Sequence, residues 1–126
     1  MFEPNKNLTE LQQHLTTLSD ESYVVVCYCA QWCRTCQGFE VPFAALAEQF
    51  PMHVFVWVDV EEHEDLVVVE DLEDFPTILV QTKNGTVFFG PIPPFAEHIE
   101  RLLQQAPSMP TTEHLALFKD LVISAT

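Results

Sequence analysis

Two apolar runs of strand length, separated by a helical segment, constrain the fold of this chain more than any other feature. Residues 23–30 are apolar throughout and rich in β-branched side chains, as are residues 53–58 apart from His53. Such runs are typical of strands that are covered on both faces of a sheet. The β-α-β crossover predicts that the two strands are parallel. Between the runs, apolar side chains recur at helical spacing, namely Phe39, Phe43, Leu46, Ala47 and Phe50.

Further helices and one hairpin complete the predicted fold. Asn84-Gly85 lies between apolar runs at residues 77–81 and 86–89, which predicts an antiparallel hairpin. We therefore expect an α/β fold class, a three-layer α/β/α sandwich around a mixed sheet with an extra C-terminal helix. The remaining segments predicted to be helical are residues 8–18, 61–72, 95–106 and 111–123.

The composition fits one acidic, globular domain. The chain has 126 residues, of which 48% are hydrophobic, and it carries 19 acidic side chains against 5 Lys and Arg, for a formal charge of -14. Its length fits a single folded unit, and its hydrophobic content argues against intrinsic disorder. The negative charge argues against nucleic acid or an anionic membrane as a partner, because both would repel this surface.

The sequence also bears on location. The first residues lack a basic segment followed by an apolar run, and no stretch approaches the roughly 20 apolar residues that cross a membrane. We therefore expect a cytoplasmic protein without a signal peptide. Structural disulfides are rare in that compartment, so cysteine pairs there tend to be catalytic or metal-binding.

Cys33 and Cys36 are the residues with the clearest chemistry. They are separated by two residues, directly after Trp32, where the first strand leads into the first strongly predicted helix. Two cysteines at this spacing can close a disulfide ring. Cys33 lies near the helix N-terminus, where the helix dipole and free N–H groups stabilise a thiolate. Cys36 lies one turn further in and is expected to be less exposed, an asymmetry that separates an attacking thiol from a resolving thiol.

The sequence resembles the thioredoxin superfamily over residues 7–106. The matching segments are residues 30–36 and 75–77, together with the Asn84-Gly85 turn and Gly90. The resemblance implies a thioredoxin-like domain at residues 1–106. A linker and an amphipathic helix then occupy residues 107–126, and we expect this helix to pack on the domain or on a partner.

The resemblance also implies roles for single residues. Cys33 is the expected nucleophile and Cys36 the expected resolving thiol, and Pro76 is expected to face the disulfide with a cis peptide bond. A cis X-Pro bond makes a tight bend and exposes backbone groups with which an extended peptide can pair. The residues expected to flank the pair are Trp32, Arg34, Thr35 and Pro76, and the candidates for substrate contact are Phe75, Thr77 and Gly90.

The sequence departs from the family's pattern beside the cysteine pair. Cys27 stands six residues before Cys33, where the family usually has a buried Asp, and Phe55 stands where a Lys is common. The proton relay attributed to those residues is therefore absent or altered, unless Glu40 replaces it from the neighbouring helix. Arg34 adds a cation next to Cys33, which favours the thiolate and predicts a disulfide more easily reduced than that of thioredoxin itself.

Cys27 and Cys29 alternate along the first strand and therefore share one face of it. In the simplest interpretation they are small buried hydrophobic residues. A second interpretation is an auxiliary thiol behind the Cys33–Cys36 pair. A third is a metal site made of all four cysteines, but their spacing is not a usual zinc pattern, and a rigid strand cannot easily turn its ligands towards the helix.

The stretch between Asp59 and Asp74 has nine carboxylates and no Lys or Arg. Because the central glycine of a calcium loop is missing, we expect a solvated acidic face or a docking patch for a basic partner rather than a metal site. The five histidines do not cluster in the sequence, and none receives a catalytic role.

Three hypotheses for the function follow, from three classes. The leading one is an enzyme, a protein-disulfide reductase that works through Cys33 and Cys36 without an organic cofactor or a metal. It would act on disulfide-containing proteins, as a monomer or weak homodimer, with a thioredoxin reductase or another dithiol as electron donor. The alternative is a redox-sensing or adaptor module, in which the same pair switches a binding surface. A structural zinc module is the third.

Overall fold

The chain alternates helices and strands. A computed structural model describes residues 1–125. Within that range, none of the helices is long and apolar enough to cross a bilayer. The elements in order are helix α1 (Pro4–Thr16), strand β1 (Val24–Cys29), helix α2 (Arg34–Gln49), strand β2 (Val54–Asp59), a 3₁₀ turn (Glu64–Leu66), strands β3 (Thr77–Gln81) and β4 (Thr86–Pro91), helix α3 (Ala96–Gln105), a second 3₁₀ turn (Ala106–Ser108) and helix α4 (Phe118–Ser124).

The strands form one mixed sheet in the order β2-β1-β3-β4. β1 and β2 pair in parallel, as the crossover predicted, and Cys29 at the end of β1 stands beside Asp59 at the end of β2. β3 runs antiparallel to both β1 and β4. Every residue of β1 is buried, because this strand lies inside the sheet with helices on both faces. The predicted three-layer α/β/α fold class is therefore confirmed.

Alternate side chains of β1 build two separate cores, as the two-residue period of a strand requires. Val26 and Tyr28 point to the side of the sheet that carries α1 and α4. Cys27 and Cys29 point to the opposite side, where they share a core with Phe39 of α2. The cysteines of the strand and the cysteines of α2 therefore lie on the same side of the sheet.

The predicted acidic helix at residues 61–72 is wrong. Only the short turn Glu64–Leu66 is helical there, and the buried side chain of Leu66 anchors it. The three consecutive valines at residues 67–69 are β-branched and have low helix propensity. The many carboxylates of the segment also have no Lys or Arg among residues 59–74 to offset their repulsion.

The C-terminal helix is shorter than the predicted range of residues 111–123. It begins at Phe118, because the residues before it are held alongside the hairpin. Thr112 and Thr86 exchange two backbone hydrogen bonds, with N···O distances of 2.7 and 2.8 Å. The segment passes so close that a Cβ on Gly85 would lie 2.5 Å from the Thr112 carbonyl oxygen, so only glycine fits at that turn position.

Two glutamine side chains hold the C-terminal segment to the rest of the chain. Gln81, which is buried in β3, donates to the Ala116 carbonyl and to the Thr86 hydroxyl, both at 2.9 Å. Its Oε1 accepts the backbone N–H of Phe118 at 2.8 Å. Gln12 of α1 donates to two carbonyls at the end of α4, each at 3.0 Å. The side chain of Phe118 is fully buried between these anchors.

Candidate active site

Cys33 caps the N-terminus of α2. Its backbone N–H donates to the Ala30 carbonyl at 3.0 Å, and its carbonyl accepts the N–H of Gln37 at 3.1 Å. These two bonds turn the chain from the end of β1 into the helix. The side chain is half-buried and carries a free thiol. Cys33 thus stands at the positive end of a 16-residue helix, where backbone N–H groups favour a negative charge.

Cys36 lies in the first turn of α2 and is 1% exposed, so it is the more buried of the two cysteines, as expected. The structure joins it by a disulfide to Cys29, not to Cys33. The Cα atoms of Cys29 and Cys36 are 5.8 Å apart, which is within the usual range for a disulfide. The predicted pairing of Cys33 with Cys36 therefore differs from the pairing in this structure.

The location of Cys29 explains this contact. It is the last residue of β1 and its side chain points towards α2, where the buried side chain of Cys36 points back towards the sheet. The N-terminal turn of α2 thus rests directly on the end of the strand. Cys29 is 2% exposed, so the disulfide is closed off from solvent much better than Cys33.

Cys27 lies behind this disulfide. Its Sγ is 3.6 Å from the Sγ of Cys29, and it carries a free thiol. Complete burial raises the pKa of Cys27 well above its usual value, because the apolar surroundings disfavour a charged thiolate. Cys27 occupies the position for which the resemblance implied an Asp, but as a neutral thiol it cannot act as a base. Within residues 1–125, no three His, Cys, Asp or Glu side chains are grouped so as to hold a metal ion.

An aromatic and proline surface flanks Cys33. The indole of Trp32 is 67% exposed and packs edge to face on Phe75, with ring centroids 5.8 Å apart. The Phe75–Pro76 peptide bond is cis, the geometry that the resemblance implied. The Pro76 carbonyl accepts the backbone N–H of Ile92 at 3.3 Å, which ties this bend to the strand after Gly90.

The other predicted site residues lie around this surface. The side chains of Arg34 and Thr35 are exposed on the first turn of α2. The Thr77 side chain is buried and its hydroxyl donates to the Asp74 carbonyl, so it leaves only backbone groups for a substrate. Gly90 stands on β4 and lines a surface cavity together with Thr77 and Asp74.

A cavity next to the end of β2 reaches the Cys29–Cys36 disulfide. This cavity of about 360 Å³ is lined by both Cys29 and Cys36 and by the carboxylates of Glu40 and Asp59. The sequence indicates Glu40 as a candidate, whereas it predicts Asp59 only as the end of the second strand and the start of the acidic stretch. Its place beside the disulfide could have been found, because the carboxyl ends of parallel neighbouring strands meet at one edge of a sheet.

Comparisons with known proteins relate the chain to one family. The family model described as Thioredoxin matches residues 5–91, more than half of the chain. A thioredoxin from Geodia cydonium is 31% identical over 72 residues, which are 57% of this chain and 67% of that protein. Thioredoxin H5 from Oryza sativa subsp. japonica is 38% identical over 64 residues, which are 51% of this chain and 47% of that protein. The chain thus spans about half to two-thirds of these relatives.

Solved structures show the same fold. Fasciola hepatica thioredoxin superposes with a TM-score of 0.67 at 20% identity, over 84% of this chain and 99% of that one. Thioredoxin f from spinach chloroplast superposes with a TM-score of 0.66 at 21% identity, over 83% of this chain and 84% of that one. Since the family model covers the strands, the cysteine pair and the cis-proline bend together, the chain belongs to the thioredoxin family.

Proposed function

We propose that this protein is a thiol-disulfide oxidoreductase that reduces protein disulfides, with Cys33 as the attacking thiolate and Cys36 as the resolving thiol. The observation that carries the proposal is the position of Cys33. It is a free, half-buried thiol at the N-terminus of α2, next to the exposed indole of Trp32, which packs on the half-buried ring of Phe75.

The reaction needs no organic cofactor. The Cys33 thiolate attacks one sulfur of a substrate disulfide, a mixed disulfide forms, and the other substrate sulfur leaves as a thiol after taking up a proton. The Cys36 thiolate then attacks the Cys33 sulfur and releases the second substrate thiol. This second step requires Cys36 to be reduced, so the Cys29–Cys36 disulfide must first be opened by an external dithiol, such as a thioredoxin reductase.

The surface around Cys33 suits a protein substrate. An extended peptide can pair with backbone groups beside the cis Pro76 and lie against the Trp32 indole. In a reducing compartment, such as the cytoplasm that we propose for this protein, the net direction is reduction of the substrate. We further propose that it works as a monomer or weak homodimer and that neither nucleic acid nor membrane is a partner, in keeping with its charge of -14.

An insulin-reduction assay with dithiothreitol tests the function. The wild-type protein should accelerate insulin reduction, and Cys33→Ser should lower the rate to that of dithiothreitol alone. Cys27→Ala is the matched control, because Cys27 is also a free cysteine but lies away from the surface, and it should retain the wild-type rate. A well-folded wild-type protein without turnover would falsify the enzyme hypothesis.

The alternative function, a redox-sensing or adaptor module, is favoured by one observation. While Cys36 is bonded to Cys29, Cys33 has no partner that could resolve a mixed disulfide, so a bound protein would stay attached. The two functions differ in what Cys36→Ser captures. With the Cys29–Cys36 disulfide opened beforehand, an oxidoreductase retains several substrates through Cys33 only in this variant, because Cys36 resolves them in the wild-type protein. An adaptor retains its partner in the wild-type protein as well.

A further inference from the structure

Three of the four cysteines form a series that leads from the surface into the core. Cys33 is half-buried at the start of α2, Cys36 is buried one turn further on, and Cys29 lies beneath Cys36 at the end of β1. Of these three cysteines, Cys36 is the middle one, with Cys33 on its outer side and Cys29 on its inner side. It follows Cys33 by three residues, in the first turn of α2, and is bonded to Cys29. Cys36 can therefore exchange its disulfide between an outer and an inner partner.

We propose that Cys29 is a second resolving thiol, which takes the disulfide from the surface pair and stores it in the core. The proposal rests on the proposed function only for the way in which Cys33 and Cys36 become oxidised. It assigns this protein two oxidised forms, an outer Cys33–Cys36 form and an inner Cys29–Cys36 form, of which the structure contains the inner one.

The exchange is balanced within the molecule. The Cys29 sulfur attacks the Cys36 sulfur, the Cys29–Cys36 bond forms, the Cys33–Cys36 bond breaks, and Cys33 leaves as a thiolate. Cys29 loses one proton and Cys33 gains one, so no oxidant or reductant is consumed. Glu40 and Asp59 line the cavity next to Cys29 and Cys36 and can accept the proton from Cys29, while the half-buried Cys33 takes up its proton from solvent.

The neighbouring Cys27 does not fit this role. It lies two residues earlier on the same strand, with its Sγ in contact with Cys29 at 3.6 Å, and it remains free while Cys29 is bonded. It is not among the residues that line the cavity at Cys29 and Cys36, so its sulfur has no direct access to the carboxylates there. Cys27 is therefore a matched control for Cys29, with the same residue type, strand face and burial.

The inner form changes what Cys33 can do. Once the disulfide has moved to Cys29 and Cys36, Cys33 is again a free thiol while the protein is still oxidised. Cys33 can then attack a second disulfide, but the mixed disulfide formed is not resolved by Cys36. The position of the disulfide thus switches the protein between a two-cysteine reductase and a single-cysteine form that holds its partner.

Disulfide mapping tests the inference without any measurement of turnover. Trypsin cleaves after Arg34, which lies between Cys33 and Cys36, so Cys36 falls in residues 35–83 and the other three cysteines in residues 7–34. The purified full-length protein is oxidised with one equivalent of diamide, its free thiols are blocked with N-ethylmaleimide in urea, and the digest is analysed by mass spectrometry. Non-reducing gel electrophoresis selects the monomeric species.

The expected outcome is specific to Cys29. In the wild-type protein the two peptides should be joined, with N-ethylmaleimide on Cys33 and Cys27. Cys33→Ser should still give joined peptides, as should Cys27→Ala, whereas the double variant Cys29→Ala/Cys33→Ser should lose the link completely. In Cys29→Ala alone, the label on Cys33 should disappear, because the disulfide has to remain in the outer form.

Three outcomes overturn the inference. One is the absence of joined peptides in Cys33→Ser. Another is N-ethylmaleimide on Cys29 in the oxidised wild-type protein, a result that does not depend on the folding of any variant. The third is a persistent link in the Cys29→Ala/Cys33→Ser variant, which would make Cys27 the inner partner. A protein that shows the inner disulfide but no insulin reduction would refute the proposed function alone, and the reverse result would refute only the inner thiol.

Discussion

Replacement of Gln81 by leucine should loosen the C-terminal segment and lower the stability of the whole domain. The amide of Gln81 is buried and bonds the Thr86 hydroxyl, the Ala116 carbonyl and the Phe118 N–H at 2.8–2.9 Å. Leucine fills a similar volume but offers no polar atom. The three partner groups would then lose their hydrogen bonds, while residues 112–122 remain packed over them.

The magnitude follows from which of these groups are buried. The bonds to Thr86 and Phe118 are buried and the bond to Ala116 is partly buried. A buried polar group without a partner costs about 1–3 kcal/mol, so the two buried groups together cost about 2–6 kcal/mol. Burial of the leucine side chain offsets about 1–2 kcal/mol of this. We therefore expect Gln81→Leu to lower the free energy of unfolding by about 1–4 kcal/mol.

Equilibrium unfolding in urea measures this loss, with Gln104→Leu as the control. Gln104 is an exposed residue of α3, and no side-chain hydrogen bond involves it within residues 1–125. At a slope of about 2 kcal/mol/M, the midpoint for Gln81→Leu should fall by about 0.5–2 M. A loss of less than ~0.5 kcal/mol relative to the control would refute the reasoning. A sizing measurement on the same variants reports whether residues 107–126 also join two copies of the chain.

Three further predictions concern pH, redox potential and the acidic segment. Burial lowers the pKa of His53, so this side chain binds fewer protons in the folded protein than in the unfolded one. Its contribution to stability should be fully present above about pH 6.5 and be lost as pH falls below that value. Urea midpoints at pH 5.5 and 8 should therefore differ less in His53→Asn than in the wild-type protein. Arg34→Gln in a Cys29→Ala background should make the outer disulfide harder to reduce, because it removes the cation next to Cys33. A glutathione titration measures the change, and a tenfold shift in the equilibrium constant corresponds to ~30 mV. Arg101→Gln in the same background should leave the reduction potential unchanged. Tyr28→Phe removes the hydroxyl that donates to the Leu66 carbonyl at 2.6 Å and should cost about 1–2 kcal/mol in urea unfolding, so a neutral result would count against this bond as an anchor of the acidic segment.

Patterns that act within one segment predicted most of the fold. The apolar runs gave β1 and β2, and the Asn84-Gly85 turn gave the β3–β4 hairpin, because burial on both faces and turn geometry are encoded locally. The prediction of the C-terminal helix is wrong over its first turns, since the backbone of Thr112 pairs with that of Thr86 instead. A helical stripe in the sequence does not reveal such a competing long-range bond.

The candidate site likewise has features that short motifs predict and one feature that depends on a long-range contact. Cys33, Trp32 and the cis bond before Pro76 follow from short motifs that the sequence displays directly. The contact between Cys29 and Cys36 depends on how the first turn of α2 rests on the end of β1, and no spacing rule specifies that distance. The burial of both residues was predicted, but their direct contact was not.

The packing of α4 against α1 has a consequence for the order in which the molecule is completed. Among residues 1–125, the core that holds Cys27, Cys29 and Cys36 includes no residue beyond Leu103, whereas the opposite core includes Phe118. A ribosome adds about 5–20 residues per second, so the second core lags the first by about 1–3 s during synthesis. The thiols can thus be enclosed on the nascent chain while the other face of the sheet is still open to chaperones.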